Sequence, residues 1–395
     1  MRPTNLDRET GMTIKSDAWV LYAGEKGAPP KPTQLVRETF EFREPGPEEA
    51  LVSPLFGCME GNMGHAVERR PIDLCLARGE DKVVVGNAGV VRVDKVGSAV
   101  STVRDGDIAI VFCNGAPDRF GYPERIWAYD APGTVGVLSR QTRMHEKQLI
   151  RIPKNTAYPL EQWAAFSLRY VTAWSNWELA YGTLRLLLNE KELPHPEVWG
   201  WGGGVSLGEL ALARHAGCRV AQIASTDERL TTIESLGIRA IDRREFRDLY
   251  FDKKKFRADE DYTKNYLAAE NIFTKKVTEM TGGNLVNIFI DYVGVPVLRA
   301  TLKVLAREGI LTTAGWKEGM MIELVRASEC IARHQHINTH YARYEQGLAA
   351  VEFAEKNGWL PPLDTRVYDY DEIPALFDDY AHDRVGWFPV FRVNG

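Results

Sequence analysis

Residues 198–209, VWGWGGGVSLGE, set five glycines among twelve positions, between an apolar run and an alanine-rich one. A strand that ends in glycines and turns straight into a helix aims backbone N–H groups and the positive helix end at whatever lies above it. A diphosphate suits such a mouth, and glycine is required because a Cβ would block its approach. The surroundings have the matching order: apolar strand, glycine turn, small-residue helix, Gly217, then the second strand RVAQIAS. Gly200, Gly203, Gly204, Val205 and Ser206 are therefore candidate dinucleotide-binding residues. Ser206 occupies the place where a third glycine usually lets helix and strand pack closely; its side chain is small, and Gly208 nearby relieves the packing.

The end of the second strand decides which dinucleotide is held. An acid there would grip the adenosine ribose of NAD, but the chain reads IASTDERL, with uncharged Ala224, Ser225 and Thr226 before Asp227. Ser225 and Thr226 can donate hydrogen bonds, and Arg243, after the third strand in RAIDRREF, adds a positive charge beside a 2′-phosphate. These residues favour NADPH over NADH.

From Glu197 onward the chain alternates strand and helix, through RVAQIAS, RLTTIESLG, RAID, VNIFIDYVG, LRATLKVLAREG and ILTTAGW. Such alternation predicts right-handed crossovers and a buried parallel sheet, an α/β doubly wound fold. Upstream, AWVLYA, ALVSPLFG, KVVVGNAGVVRVDKVG and GDIAIVFC are short β-rich runs broken by Gly, Pro and Asp, the rhythm of a mostly antiparallel domain. Helical spacing in LEQWAAFSLRYVTAWSNWELAYG marks the passage between the two, and the last stretch, 360–395, returns to the first. The expected division is 12–165, completed by 360–395, and 166–359. Residues 244–265, REFRDLYFDKKKFRADEDYTKN, have mixed charge and little apolar periodicity, and are expected as a solvated surface excursion. The sharper alternative is that Lys253, Lys254, Lys255 and Arg257 hold a phosphorylated substrate handle.

At 395 residues the chain exceeds the size at which single cores stop growing, and its formal charge of -5 argues against nucleic acid as partner. No run approaches the roughly 20 apolar residues of a membrane span, and the polar start MRPTNLDRETGMTIK has no secretory apolar region. Five scattered cysteines without a CxxC pair suit reduced thiols, so a cytoplasmic protein is expected.

The arrangement resembles the medium-chain dehydrogenase/reductase superfamily: a GroES-like β domain containing GNAGVVRVDKVGSAVSTVRDGDIAIVF, a Rossmann nucleotide domain, and a short return. GNAGVV stands where zinc alcohol dehydrogenases carry Gly-His-Glu, so Asn87 replaces the metal-binding His and Ala88 the Glu. Cys58 alone cannot make a site, and a zinc-free member is implied. Within the superfamily the chain is similar to crotonyl-CoA carboxylase/reductases and their enoyl-thioester reductase relatives. RIWAYDAPGTVG is similar to the tract holding an aromatic-acid pair, VAQIASTDERLTTIESLGIRAIDR to the NADPH tract, INTHYARYEQ to a Ser-His-x-Ala segment, and EGILTTAGW to the loop along the nicotinamide. The resemblance implies roles for His340, for Tyr129 in place of Phe and for Asp130 in place of Glu. CMEGNMGHAVERR lacks the family's Asn-Tyr-Asn tract, and Asn62 is the nearest candidate for the remaining Asn. Gly315 and Trp316 fall on the nicotinamide loop.

The activity so implied is NADPH-dependent reduction of a 2-enoyl thioester, on coenzyme A or an acyl carrier protein, with carbon dioxide taken at the α carbon in the carboxylating members. Without a metal such a reduction is feasible because the carbonyl delocalises the charge left by hydride addition. His340 is the candidate proton donor, whereas His336 reads as solvated. Trp201 and Trp316 either wall the nicotinamide pocket or fill the interdomain core. A zinc-independent alcohol dehydrogenase or quinone oxidoreductase is the rival enzyme, and a non-catalytic NADPH-binding protein the rival from another class. The resemblance further implies a homodimer.

Overall fold

The computed structural model describes residues 13–115, 117–315, 319, 321–364 and 366–395. Six parallel strands, β1 (Glu197–Trp201), β2 (Arg219–Ala224), β3 (Arg239–Asp242), β4 (Val286–Asp291), β5 (Leu305–Thr312) and β6 (His336–Asn338), form one sheet in the order β3-β2-β1-β4-β5-β6. Every residue of β1 and β4 is buried, as strands with helices on both faces must be. The order reverses between β1 and β4, and a crevice for a ligand opens beyond the carboxyl ends of strands at such a point. The doubly wound reading of the second half therefore holds.

The helices that matter for the site are α1 (Leu160–Leu187), α2 (Gly204–His215), α3 (Asp227–Ser235), α4 (Glu260–Met280), α5 (Val295–Val304) and α6 (Tyr344–Asn357). α1 is apolar around most of its girth, because it is packed on both sides. Its residues Trp163, Phe166 and Tyr170 share one core with Phe56, Val90 and Ile110 of the first domain and with Val198, Leu207 and Leu210 of the second. The boundary expected at 165/166 falls inside this helix.

The first domain is built on antiparallel pairs. Strand Glu49–Cys58 pairs with Gly89–Val96 and with Thr142–His145, and Gly89–Val96 pairs with Ile108–Val111. The chain end returns to this sheet, Val390 lying opposite Cys58 and Arg392 opposite Phe56. Strand Val36–Arg43, antiparallel to Thr13–Tyr22, and the helices Gly61–Glu68 and Leu74–Arg78 were not among the sequence expectations.

The reading of 244–265 as a surface excursion is corrected. The segment holds a tight turn at Arg243–Phe246, a helix at Lys253–Ala258 and the start of α4. Phe246 and Leu249 are buried in one core with Trp201 and Phe273, and Phe251 and Phe256 pack against it. Apolar residues spread over a turn and two helices of different axes have no common period, which hid them. Lys253 pairs with Glu323 at 2.5 Å, and Lys254 and Lys255 donate their backbone amides to the Asp252 cap.

Candidate active site

The chain leaves β1 at Trp201 and turns through Gly202, whose φ of +105° glycine alone adopts readily. A Cβ on Gly200 would lie 2.3 Å from Ser206 Oγ, and one on Gly204 2.5 Å from the Phe388 ring. A Cβ on Gly203, the residue that caps α2, would meet nothing within 4 Å. The turn is thus shut toward the protein at Gly200 and Gly204 and open at Gly203, a cradle at a helix N-terminus that fits a diphosphate. Ser206 is fully buried, and the missing side chain of Gly200 makes room for it. A Cβ on Gly208 would stand 3.0 Å from Ala173 and 3.2 Å from Tyr170, so the glycine lets α2 lie on α1. Val205, half-buried, follows Gly204 in the first turn of α2.

At the other end of the crevice Ser225 and Thr226 are exposed, and Thr226 Oγ1 caps α3 by accepting from the Arg229 amide at 3.3 Å. The Arg243 guanidinium lies 5.9 Å from the centre of the Trp201 ring, beneath the glycine turn. Its neighbour Arg244, which sequence reasoning passed over, pairs with both Asp227 and Asp242. The acid nearest the β2 end is thereby already engaged by a cation. The Arg-Arg doublet after β3 was the available signal.

Gly315 follows β5, where a Cβ would lie 3.3 Å from the Tyr292 ring; Trp316 lies outside the described residues. Trp201 is buried against Phe273 and Phe289 and donates its indole N–H to Thr301, so it fills the core of the second domain and not the interdomain core expected for it. Tyr292, at the end of β4, stands between Gly202 and Gly315 and donates its hydroxyl to Glu209 Oε1 in a short hydrogen bond. Glu209 is completely buried, and burial pushes its carboxyl far above the usual range despite that bond. A lone acid in the apolar helix LGELALAR was the sequence signal.

Asp291, immediately before Tyr292, accepts the Val293 and Gly294 amides at 2.8 and 2.9 Å, yet burial pushes its carboxyl up to about 6. Its folded pKa exceeds the unfolded 3.8, so the stability tied to its protonated form is complete below that value and is lost as pH rises through about 6. Asp291→Asn carries no charge at any pH. Relative to the parent it is expected to be neutral near pH 4 and more stable by up to about 3 kcal/mol at pH 8 in urea unfolding. A difference that does not change with pH would refute the assignment.

The facing wall comes from the first domain and from the segment before α6. Glu60 and Arg169 form a buried pair at 2.9 Å, and Arg169 also donates to the carbonyls of Met59 and Trp387. Burial pushes Glu60 upward against the pull of Arg169, and it pushes the Cys58 thiol far up beside them. Cys113, its thiol pushed up to about 12 by burial, lies within reach of the charges of both Glu60 and Asp130. Asp130 Oδ1 accepts the Ile126 amide at 2.6 Å, and burial with Asp130 and Tyr341 alongside pushes the Tyr129 phenol up. Asn62 sits in the helix Gly61–Glu68, its Oδ1 buried and without a hydrogen-bond partner among the described residues.

His340 sets its ring edge-on to Tyr122, centroids 5.2 Å apart, and its Nε2 lies 2.9 Å from Gln346 Oε1. Gln346 in turn donates to Glu178 of α1, which orients its amide and makes His340 Nε2 the donor. Asn114 donates to the Ala342 carbonyl, and Asn176 to that of His340, so the segment is tied to both walls. Tyr129, Asp130 and the His340 segment are therefore brought together, whereas Asn62 stands on the Glu60 side. Among the described residues no group of three or more His, Cys, Asp and Glu side chains could hold a metal ion.

No family model matches the chain. It is 23% identical over 391 residues to a crotonyl-CoA reductase of Streptomyces avermitilis, covering 93% of this chain and 84% of the relative. It is 24% identical over 365 residues to a 2-haloacrylate reductase of Burkholderia sp, covering 90% and 92%. A solved structure of the 2-octenoyl-CoA carboxylase reductase CinF with NADP and 2-octenoyl-CoA superposes with a TM-score of 0.78 at 19% identity, covering 96% of this chain and 87% of that one. The chain has the two-domain medium-chain dehydrogenase/reductase fold and resembles its crotonyl-CoA carboxylase/reductase branch over nearly its whole described length.

Proposed function

We propose that the chain reduces the conjugated double bond of 2-enoyl thioesters with NADPH. The observation that carries the reading is the cradle open at Gly203, set at the switch point of the sheet and facing a wall of buried polar side chains. Similarity to a crotonyl-CoA reductase and to a carboxylase reductase solved with NADP and an enoyl-CoA supports the substrate class.

The turn around Gly203 would hold the diphosphate with Gly200 and Ser206 packed beneath it, Ser225, Thr226, Arg243 and Arg244 the phosphorylated ribose, and Gly315 and Trp316 the nicotinamide side. When bound, the dinucleotide supplies a hydride. The chain's own tasks are then to hold the thioester carbonyl, exclude water and serve the α carbon. Its Nε2 kept on Gln346, His340 has Nδ1 left to hold or move a proton. Tyr129, Asp130 and Asn62 shape the pocket in which the α carbon takes a proton or carbon dioxide.

A homodimer joined through β6 fits the sheet, since β6 pairs only with β5 among the described residues. Met321, Val325 and Ile331, exposed in the segment before it, supply apolar surface. Five free cysteines suit a reducing compartment such as the cytoplasm.

Absorbance at 340 nm should fall when the protein meets NADPH and crotonyl-CoA, and bicarbonate should change the product from butyryl-CoA to a dicarboxylic thioester if the α carbon takes carbon dioxide. Oxidation of NADPH by quinones or aldehydes alone would overturn the reading. Arg244→Ser should weaken NADPH about tenfold or more and leave NADH unchanged, as expected for one charge-assisted hydrogen bond to a 2′-phosphate. Equal losses for both coenzymes would assign Arg244 to the fold instead.

A further inference from the structure

Among the described residues Asn87 has no hydrogen-bond partner for either end of its amide, Oδ1 or Nδ2. Only 1% of the residue is exposed. Buried polar groups are nearly always paired, so such an amide marks a place where something else is bound.

Its backbone cannot drift to find one. Gly86 before it has φ +108° and accepts from the Val137 amide at 2.8 Å. After it, the Ala88 carbonyl accepts from the Cys58 amide at 3.1 Å, and Gly89 donates to Ser167 Oγ of α1 at 2.8 Å. Ser167 also lines a narrow cavity with Cys113, Asn114, Thr172 and Ala342, between the first domain, α1 and the segment after His340. Asn87 is therefore fixed where the first domain meets α1, two residues before the Gly89 amide that Ser167 holds at the edge of that cavity.

We propose that Asn87 Nδ2 donates to the carbonyl oxygen of the thioester and holds the charge that gathers there, an inference that rests on the enoyl-thioester reading. The two electrons of the hydride form the new C–H bond at the β carbon, the alkene pair moves between the α carbon and the carbonyl carbon, and the carbonyl pair moves onto oxygen. When that pair returns, the α carbon takes one proton, from His340 or solvent, or one carbon dioxide. A neutral amide suits the task because it is a fixed donor that carries no charge to repel the enolate. The other buried groups nearby suit it less: the Cys58 thiol is a weak donor, and Glu60 is committed to Arg169.

Asn87→Ala and the near-isosteric Asn87→Asp test this, with NADPH fluorescence titration and thermal melting as measures of the cleft and the fold. Both variants should keep the NADPH Kd within twofold, lose at least a hundredfold in kcat on crotonyl-CoA, and bind butyryl-CoA in the presence of NADP+ at least tenfold more weakly by calorimetry. Turnover within threefold of the parent, or loss of NADPH binding together with turnover in both variants, would overturn the inference while the parent's own activity upholds the substrate class. A parent that binds butyryl-CoA without reducing crotonyl-CoA would sink the reaction, and weaker binding by Asn87→Ala would still uphold the contact. A parent that neither binds nor reduces thioesters would sink both.

Discussion

Gly203→Leu is expected to fold as the parent does and to bind NADPH at least about a hundredfold more weakly. The two halves of this expectation have one geometric cause. A Cβ at 203 meets no protein atom within 4 Å and the residue's φ is negative, at −100°, so no packed neighbour has to move. The same open space is where a diphosphate must lie to reach the N–H groups at the start of α2. An isobutyl group there excludes it, and losing two charge-assisted hydrogen bonds at about 1.5–3 kcal/mol each passes a hundredfold. Gly204→Val is the contrasting variant, because its Cβ would press on the Phe388 ring at 2.5 Å and must disturb the packing itself. Fluorescence titration and a melting curve on both variants separate the two effects. Unaltered NADPH affinity in Gly203→Leu would remove the cradle from the site, and with it the main physical support for a dinucleotide enzyme.

Five strands of the parallel sheet were legible because their grammar is local, strand and helix following one another with one period each, whereas the three-residue β6 is too short to show a period. Most first-domain strands were legible for the same reason; Thr142–His145 and Leu149–Arg151 were not, nor was Val36–Arg43, whose exposed positions in VRETFEFR include three charges and which looks like solvated chain. α4 was missed because its buried side chains, Tyr266, Ala269, Phe273 and Val277, lie one or two per turn in a charged sequence. The site divides along the same line. The glycines at 200–204 announce themselves within five residues. Asp130, Cys113 and Glu60 meet only through folding, and nothing in their spacing relates them. Arg169 and Glu209 were visible as lone charges in apolar helices, but only the structure shows that one is paired with Glu60 and that the other is buried against the Tyr292 hydroxyl.

Arg169→Met should cost about 3–5 kcal/mol of unfolding free energy, the loss typical of removing one member of a buried pair. The Arg169 side chain is buried at the junction of three parts of the chain. Its guanidinium serves the Glu60 carboxylate and Met59 carbonyl of the first domain and the Trp387 carbonyl of the C-terminal return, while its Cδ would lie 3.2 Å from a Cβ on Gly204. Methionine replaces most of the stem and none of the donors. It leaves two carbonyls and a carboxylate without their cation, in a site where burial already pushes Glu60 toward its neutral form. Glu60→Gln should therefore cost little on top of Arg169→Met, and a double-mutant cycle should return much of the single-variant loss as coupling. The direction with pH follows: Glu60 is already pushed upward by burial in the parent, and in Arg169→Met it keeps its proton to still higher pH, so the loss of stability with rising pH continues to higher pH in the variant than in the parent. Urea unfolding of the four proteins at pH 6 and pH 8 measures all of this. Additive losses, or a single-variant cost below about 1 kcal/mol, would show that the guanidinium is solvated and that the glycine turn, the first domain and the chain end are held together by packing alone.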